Sequence, residues 1–186
     1  MCGRDKCAFT RRPTTPGVHG PSQRRVRLSS FGIQLREKQK ARRLYRLMEK
    51  QFSKYVSEAL QKTGNTAEIL VQFLEMRLDN VVYRLGFGKT RGQAKQMVSH
   101  GFIMVNGVSV DVPSYRVRPG DVITIKESKQ KTILMETVKN NASRGETPLW
   151  LSKDLATFSG KVTSLPEGAD LKQVFDPTLI VEYYSR

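Results

Sequence analysis

The chain has 186 residues, of which 38% are hydrophobic, enough for one or two modest domains with a core. Its formal net charge is +15, and a balance this basic indicates a polyanionic partner, either nucleic acid or an anionic membrane. No apolar run approaches the roughly 18 residues that span a bilayer, and the start lacks the apolar segment of a signal peptide. We therefore expect a cytoplasmic protein.

Residues 1–29 are predicted to form a basic extended arm. Residues 1–46 contain 13 Lys or Arg and only two acids, so they supply +11 of the net charge. Prolines and glycines are spread among the arginines, which favours an irregular segment that orders on contact with nucleic acid. A disordered solubilising tail is the alternative. The predicted RNA-binding residues of the arm are Arg11, Arg12, Arg24, Arg25 and Arg27.

Cys2 and Cys7 are the only cysteines. Their spacing would suit half of a zinc site, which needs four ligands, and His19 is the nearest possible third ligand. Because no fourth ligand is apparent, two unpaired thiols are the favoured interpretation and no cofactor is predicted. A disulfide is not expected in a cytosolic chain.

Between Gln34 and Lys62 apolar residues recur at steps of three and four, which predicts one amphipathic helix. The other face is cationic, and such a helix would either lie on a membrane or place core on one side and RNA on the other. We favour the second interpretation. The predicted RNA-binding residues of this region are Arg36, Lys38, Lys40, Arg43, Arg46 and Lys54.

Shorter elements follow. Thr66 is predicted to cap a helix over Ala67–Glu75, and apolar spacing predicts a third helix over Leu78–Leu85. A capping box, Thr90-x-x-Gln93, begins a fourth helix that ends at Gly101. The remaining predictions are strands at Phe102–Val105, Val108–Val112, Val122–Ile125, Leu149–Leu151 and Lys161–Thr163, a hairpin turn at Asn106-Gly107, a helix over Lys131–Val138, and a helix or strand over Ile180–Tyr184.

Catalytic constellations are scarce, because the two histidines lie far apart and no triad, phosphate loop or carboxylate pair is recognisable. The fourth helix instead suggests a recognition surface, with free N–H groups at its start and amides and cations suited to RNA phosphates and 2′-hydroxyls. A solvated helix face is the alternative, and His100 would either stack on a base or serve a structural role. The predicted RNA-binding residues here are Arg77, Arg84, Lys89, Thr90, Arg91, Gln93, Lys95, Gln96 and His100.

The stretch LEMRLDNVVYRLGFGKTRGQAKQMVSHGFIMVNG resembles the S-four RNA-binding domain, in the version found in the family of protein four of the small ribosomal subunit. Outside it, LSSFGIQLREKQKARRLYRLMEKQFSKY, SYRVRPGDVITI and LIVEYYSR resemble that family's helical lead-in, later strands and C-terminus. The resemblance therefore covers nearly the whole chain.

The resemblance implies an α+β fold: a discontinuous helical domain from residues 30–76 and 160–186, and an S-four RNA-binding domain at 77–159 with helices on a small antiparallel sheet. It implies a structural constituent of the ribosome and primary 16S rRNA binder that nucleates assembly of the small-subunit body. It also implies contacts with ribosomal protein uS5, which bear on translational accuracy, and with other small-subunit proteins. Arg24, Arg25 and Arg27 match the basic residues implied at the channel through which mRNA enters. No membrane or small-molecule substrate is expected.

Two points depart from a simple match. Many zinc-binding members of the family carry a further cysteine pair upstream, and Cys2 and Cys7 match only the second pair. In addition, Arg77-Leu78-Asp79 mimics the catalytic motif of some pseudouridine synthases. However, Asp79 lies inside the RNA-binding module, and the roughly 80 residues that follow the module are too few for a separate catalytic domain. An enzyme of that kind and a small RNA chaperone are the two alternative functions.

Overall fold

The computed structural model describes residues 8–14, 16–22, 28–130, 132, 147–154 and 157–185. Its helices are α1 (Ala8–Arg11), α2 (Ser30–Leu44), α3 (Glu49–Leu60), α4 (Thr66–Glu75), α5 (Leu78–Arg84), α6 (Arg91–Ser99), α7 (Glu127–Gln130) and α8 (Pro177–Tyr184), with a 3₁₀ helix at Gly168–Leu171. Its strands are β1 (Ile103–Val105), β2 (Val108–Ser109), β3 (Val122–Ile125), β4 (Leu151–Asp154) and β5 (Ser159–Val162). The predicted α+β class is confirmed.

The single helix predicted from Gln34 to Lys62 is wrong, because two helices, α2 and α3, share that stretch. Arg46 turns the chain between them with a φ of 54°, a conformation that non-glycine residues seldom adopt. The Leu47 N–H donates to the Arg42 carbonyl at 3.0 Å and completes the turn. Neither Gly nor Pro marks this site, and Tyr45 and Leu47 are buried like helix-face residues. The apolar pattern therefore runs through the turn without a break.

The helical core lies between α2, α3, α4 and α8. Its centre is formed by side chains with no more than 1% exposure, namely Ala41, Phe52, Val56, Ala59, Leu70, Val71, Leu74 and Ile180. The last segment, for which helix and strand were both open, is a helix. Its N-cap is Asp176, whose Oδ1 accepts from the Thr178 N–H at 2.9 Å, and Pro177 supplies a preset φ at the first position.

The sheet core lies between α5, α6 and a five-stranded antiparallel sheet of order β2-β1-β3-β5-β4. Alternate residues of β1 and β3 face it, so Ile103, Val105, Ile123 and Ile125 are buried. Gly160 on β5 packs directly against Leu85, where a Cβ would meet the Leu85 side chain. The two cores meet where α4 runs into α5.

The predicted hairpin at Asn106-Gly107 is confirmed, with φ angles of 51° and 82° at the two residues. Its second strand is shorter than the predicted Val108–Val112, since β2 ends at Ser109. Beyond it the chain leaves the sheet and lies beside α5, where the Leu78 N–H donates to the Tyr115 carbonyl at 2.8 Å.

The later strands are displaced from their predicted positions. β4 begins at Leu151 because Leu149 is 90% exposed and Trp150 is buried in a turn, and β5 begins two residues before Lys161. β5 also crosses the predicted domain boundary at residue 160. The predicted helix over Lys131–Val138 lies outside the described residues except for Thr132, and α1 adds a short helical turn to the arm that was predicted to be extended.

Candidate nucleic-acid interface

A groove of about 620 Å³ runs between the outer face of α2 and the start of α6, and we call it the α2–α6 groove. Five of its lining residues are cationic, and no acid lines it among the described residues. Its lining residues are Arg36, Gln39, Lys40, Arg43, Leu44, Arg46, Thr90, Arg91, Gly92, Val174 and Phe175. Six of the residues predicted to bind RNA thus meet at one surface.

The α2 wall follows from helical periodicity, because residues 36, 40 and 43 recur on the face opposite the buried Ala41. Arg36 and Arg43 are exposed, whereas Lys40 donates to Glu37 at 2.6 Å. Prediction overlooked Gln39, which lies three positions from Arg36 on the same face, and that spacing was the available signal. This wall presents guanidinium groups to the groove.

The α6 wall begins at the predicted cap. Thr90 Oγ1 accepts from the Gln93 N–H at 3.1 Å, and Gln93 Oε1 accepts from the Lys89 N–H at 2.7 Å. The predicted Thr90 cap is therefore confirmed, whereas the reciprocal bond of Gln93 goes to Lys89, one residue before the cap, and occupies Gln93 Oε1. Gly92 lies against Arg46 so closely that a Cβ would overlap the guanidinium. The helix start thus brings backbone N–H groups and the Arg46 charge to the same place.

Arg91 is held more firmly than an ordinary surface cation. Its guanidinium lies over the rings of Tyr45, 5.1 Å from the centroid, and Tyr83, 4.6 Å from the centroid. Its Nε also donates to Asn80 Oδ1 at 2.9 Å. Two aromatic faces and an amide fix the plane of this cation at the edge of the groove.

Glu75 anchors the side chains behind Arg91. Its buried carboxylate accepts from the Tyr45 hydroxyl at 2.6 Å, Asn80 Nδ2 at 2.7 Å and Gln173 Nε2 at 3.1 Å. Arg84 donates to it twice, from Nε at 2.9 Å and Nη2 at 2.8 Å. Burial by itself raises the pKa of Glu75, but the hydrogen bonds and charge of Arg84, with the donors Tyr45 and Asn80, hold that pKa below its ordinary value. The carboxylate is therefore ionised and fixes both Tyr45 and Asn80.

Three residues predicted to bind RNA are occupied within the protein. Arg77 is 1% exposed and donates to both carboxylate oxygens of Asp79, at 3.0 and 2.7 Å, and to the Tyr55 hydroxyl at 2.6 Å. Arg84 is paired with Glu75, and Lys38 is 5% exposed and donates to Glu49 at 2.7 Å. The prediction is corrected at these positions, since the three cations pair with carboxylates of the protein itself, the buried Asp79 and Glu75 and the part-exposed Glu49.

The other predicted residues lie around the groove or apart from it. Lys89, Gln96 and His100 are exposed, and Lys95 Nζ donates to the Arg46 carbonyl at 3.3 Å. Arg11 and Arg12 are exposed in and after α1, and Lys54 lies on α3 in a different groove. Arg24, Arg25, Arg27, Cys2 and Cys7 lie outside the described residues, so the roles predicted for them stay predictions.

The described part of the chain contains no group of three or more His, Cys, Asp or Glu side chains that would hold a metal ion. It also contains no helix that is both long and apolar enough to cross a membrane.

Residues 1–75 match the family model described as ribosomal protein S4/S9 N-terminal domain, and residues 76–123 match the S4 domain. A small ribosomal subunit protein uS4A of Clostridium novyi is 49% identical over 185 residues, covering 100% of this chain and 88% of the relative. The chain belongs to the uS4 family. The uS4 protein of Hahella chejuensis is 50% identical over 173 residues (93% of this chain, 83% of the relative). That of Thermotoga maritima is 46% identical over 189 residues (100% and 88%).

Membership of the uS4 family confirms the resemblance noted in the sequence. The S4 domain match contains α5, α6, β1 and β2, and β3 begins within its last residues. The matched N-terminal domain contains α2, whose cationic face forms the other wall of the groove. The α2–α6 groove therefore lies between two matched regions of a small-subunit ribosomal protein.

Proposed function

We propose that this uS4 family member is a structural constituent of the small ribosomal subunit that binds 16S rRNA directly and helps nucleate assembly of the subunit body. The observation that carries the proposal is the α2–α6 groove, in which five cations and a helix N-terminus converge. Of these cations only Lys40 forms a salt bridge with a described acid, Glu37, which is not part of the lining. Phosphate groups are the ligands that such a set of donors and charges favours.

Three alternatives from the sequence lose support. Ala41 on α2 and Phe52, Val56 and Ala59 on α3, which belong to the predicted apolar face, are buried in the helical core, so these residues are not available to a membrane. Asp79 is 4% exposed and both its oxygens accept from Arg77, so it is unsuited to act as the nucleophile of a pseudouridine synthase. A small RNA chaperone does not account for a match to uS4 relatives along the whole chain. The proposed role is therefore binding and not catalysis.

A protein contact with uS5 is part of the proposal, and exposed apolar residues at the start of α2 are suited to it. Leu28, Phe31 and Ile33 are 37%, 47% and 42% exposed, and the Phe31 ring lies 5.6 Å from that of Tyr183 on α8. Exposed apolar side chains favour a protein partner over an RNA backbone. The proposed mRNA contact rests on Arg24, Arg25 and Arg27.

Footprinting on naked 16S rRNA tests the RNA-binding proposal, with a charge-neutralised double variant, Arg36→Gln with Arg43→Gln. The wild-type protein should protect one multi-helix junction, and the variant should lose at least ten-fold in affinity. Lys126→Gln with Lys161→Gln is the matched control, because it removes the same charge from exposed positions that line neither the α2–α6 groove nor the groove that contains Lys54. Equal affinities for both double variants would refute a specific role for the groove.

A further inference from the structure

A second groove, of about 450 Å³, lies between α3 and the segment that precedes β3, and we call it the α3 groove. Its lining combines three cations, one acid and several neutral donors. The lining residues are Gln51, Lys54, Tyr55, Glu58, Ser114, Arg116 and Arg118. It shares none of these with the α2–α6 groove, so it forms a separate surface.

The wall formed by residues 114–118 is fixed by backbone pairing. The Leu78 N–H donates to the Tyr115 carbonyl at 2.8 Å, and the Val117 N–H donates to the Met76 carbonyl at 3.0 Å. These bonds flank an antiparallel bridge between Arg77 and Arg116. The segment therefore holds its side chains in place much as an added strand would, although it lies outside the sheet.

The opposite wall is fixed from below by the buried Arg77. Its Nη1 donates to the Tyr55 hydroxyl at 2.6 Å, and its guanidinium also lies 5.5 Å from the Tyr55 ring centroid. Burial by itself lowers the pKa of Arg77, but hydrogen bonds and charge from Asp79 raise it above its ordinary value, so the anchor is permanently charged. Both walls are thus set before any ligand arrives.

The groove keeps a positive excess after its internal pairing. Arg116 donates to Glu58 at 2.7 Å, and its guanidinium lies 4.0 Å from the Phe73 ring centroid, which fixes that cation and satisfies the only acid in the lining. Lys54 and Arg118 are exposed, and neither side chain forms a salt bridge with any described residue. Gln51 and Ser114 add neutral hydrogen-bonding groups beside them.

We infer that the α3 groove binds a second segment of RNA backbone, with Lys54 and Arg118 on phosphates and Gln51 and Ser114 on ribose or phosphate oxygens. This inference rests on the proposed rRNA binding. Once the α2–α6 groove has bound a long RNA, a neighbouring segment of the same molecule is present at high effective concentration. A few weak contacts are then enough to bind that segment. The mixture of cations with an amide and a hydroxyl suits the sugar–phosphate chain. An acidic protein segment would not present a regular series of phosphate and ribose oxygens to these side chains.

The test is a double variant, Lys54→Gln with Arg118→Gln, which spares the packed Arg116. Losing about two phosphate contacts should lower the slope of log affinity against log salt by about 1.4–1.8, and it should weaken binding to 16S rRNA measurably at 100 mM salt. Lys126→Gln with Lys161→Gln controls for the loss of two charges, and thermal unfolding checks that both variants are folded. A slope equal to that of the control would overturn the inference.

A second measurement locates the RNA. An iron chelate attached at Ser114→Cys, in protein whose Cys2 and Cys7 are replaced by Ser, should cleave rRNA nucleotides that differ from those cleaved from Gln39→Cys. No cleavage from position 114, or loss of binding by the double variant only when other small-subunit proteins are present, would contradict RNA binding and favour an acidic protein partner. If the Arg36 and Arg43 variant also left affinity unchanged, the proposed function itself would fail, so the two failures are distinguishable.

Discussion

Glu75 shows how one buried carboxylate organises an interface made of cations. It fixes Tyr45, Asn80 and Arg84 together, and Tyr45 and Asn80 in turn hold Arg91 at the groove. Its carboxylate is buried, and five hydrogen bonds from side chains compensate its negative charge. The groove therefore keeps its positive potential although an acid lies behind it.

Replacing Glu75 by Gln should lower the free energy of unfolding by about 3 kcal/mol at pH 7, since it leaves Arg84 without its charge partner. The pKa of Glu75 is held low in the folded state, so its contribution is present above the unfolded pKa of about 4.3 and is lost as pH falls through the folded pKa. Urea unfolding at pH 7, 5, 4 and 3.5 should therefore show a smaller acid loss in the variant than in the wild type. Parallel pH curves would show that Glu75 is not ionised in the fold.

Sequence alone could not show which cations are paired within the protein and which are available at its surface. Arg77 precedes one predicted helix and Arg91 begins another, and both were predicted to bind RNA. Arg77 is in fact buried, whereas Arg91 lies at the groove. What separates them is the position of Asp79 and Tyr55 relative to Arg77, and Tyr55 comes from another helix. Tertiary packing decides which guanidinium is paired, and local pattern does not contain that information.

At the scale of elements, Gly92 in the first turn of α6 is the place where two walls of the α2–α6 groove touch. A glycine inside a helix costs roughly 0.5–1 kcal/mol relative to alanine. Here its lack of a Cβ leaves room for the Arg46 guanidinium, which reaches α6 because Arg46 adopts a positive φ in the turn after α2.

Gly92→Ala should therefore stabilise the protein slightly or leave it unchanged, by 0 to about 1 kcal/mol, while it displaces Arg46 and weakens rRNA binding several-fold. Ser99→Ala, at an exposed position of the same helix that is not among the predicted RNA-binding residues, is the control and should change neither quantity by as much. Urea unfolding and filter binding would measure the two effects. A Gly92→Ala protein that binds rRNA like the wild type would show that the Arg46 position is unimportant.

The elements themselves were largely predictable. The capping box, the Asn-Gly hairpin and the apolar spacing of α4 to α6 are local signals, and each corresponds to an observed element. The break between α2 and α3 was missed because a non-glycine residue makes the turn. β5 was displaced because its partner β3 is distant in sequence, so no local signal set its register. β4 pairs only with β5 and follows the position of that strand.

On the scale of the whole molecule, the two cores are joined by cation–aromatic contacts from each of two arginines. The Arg77 guanidinium lies over the Tyr55 ring, and that of Arg91 lies over the Tyr45 ring. One groove lies near each contact, so both proposed RNA surfaces occur where the two cores meet. Both grooves then depend on the relative position of the cores, which these contacts maintain.

Binding that depends on several phosphate contacts should be strongly sensitive to salt. With at least six contacts, affinity for 16S rRNA should fall by about 10³-fold or more between 50 and 200 mM salt. Filter binding across that range measures the slope. An affinity that did not change with salt would remove the electrostatic basis of the proposal, whichever groove is involved.

The position of α8 bears on how the protein is made. Gln34 on α2 donates to Glu182 on α8, across 148 positions of sequence, whereas every strand of the sheet is complete by Val162. A ribosome adds roughly 5–20 residues per second, so the sheet core can close before α8 has been synthesised. The helical core is completed only when α8 docks on α2. We therefore expect the α2 wall of the α2–α6 groove to become fixed after the sheet core.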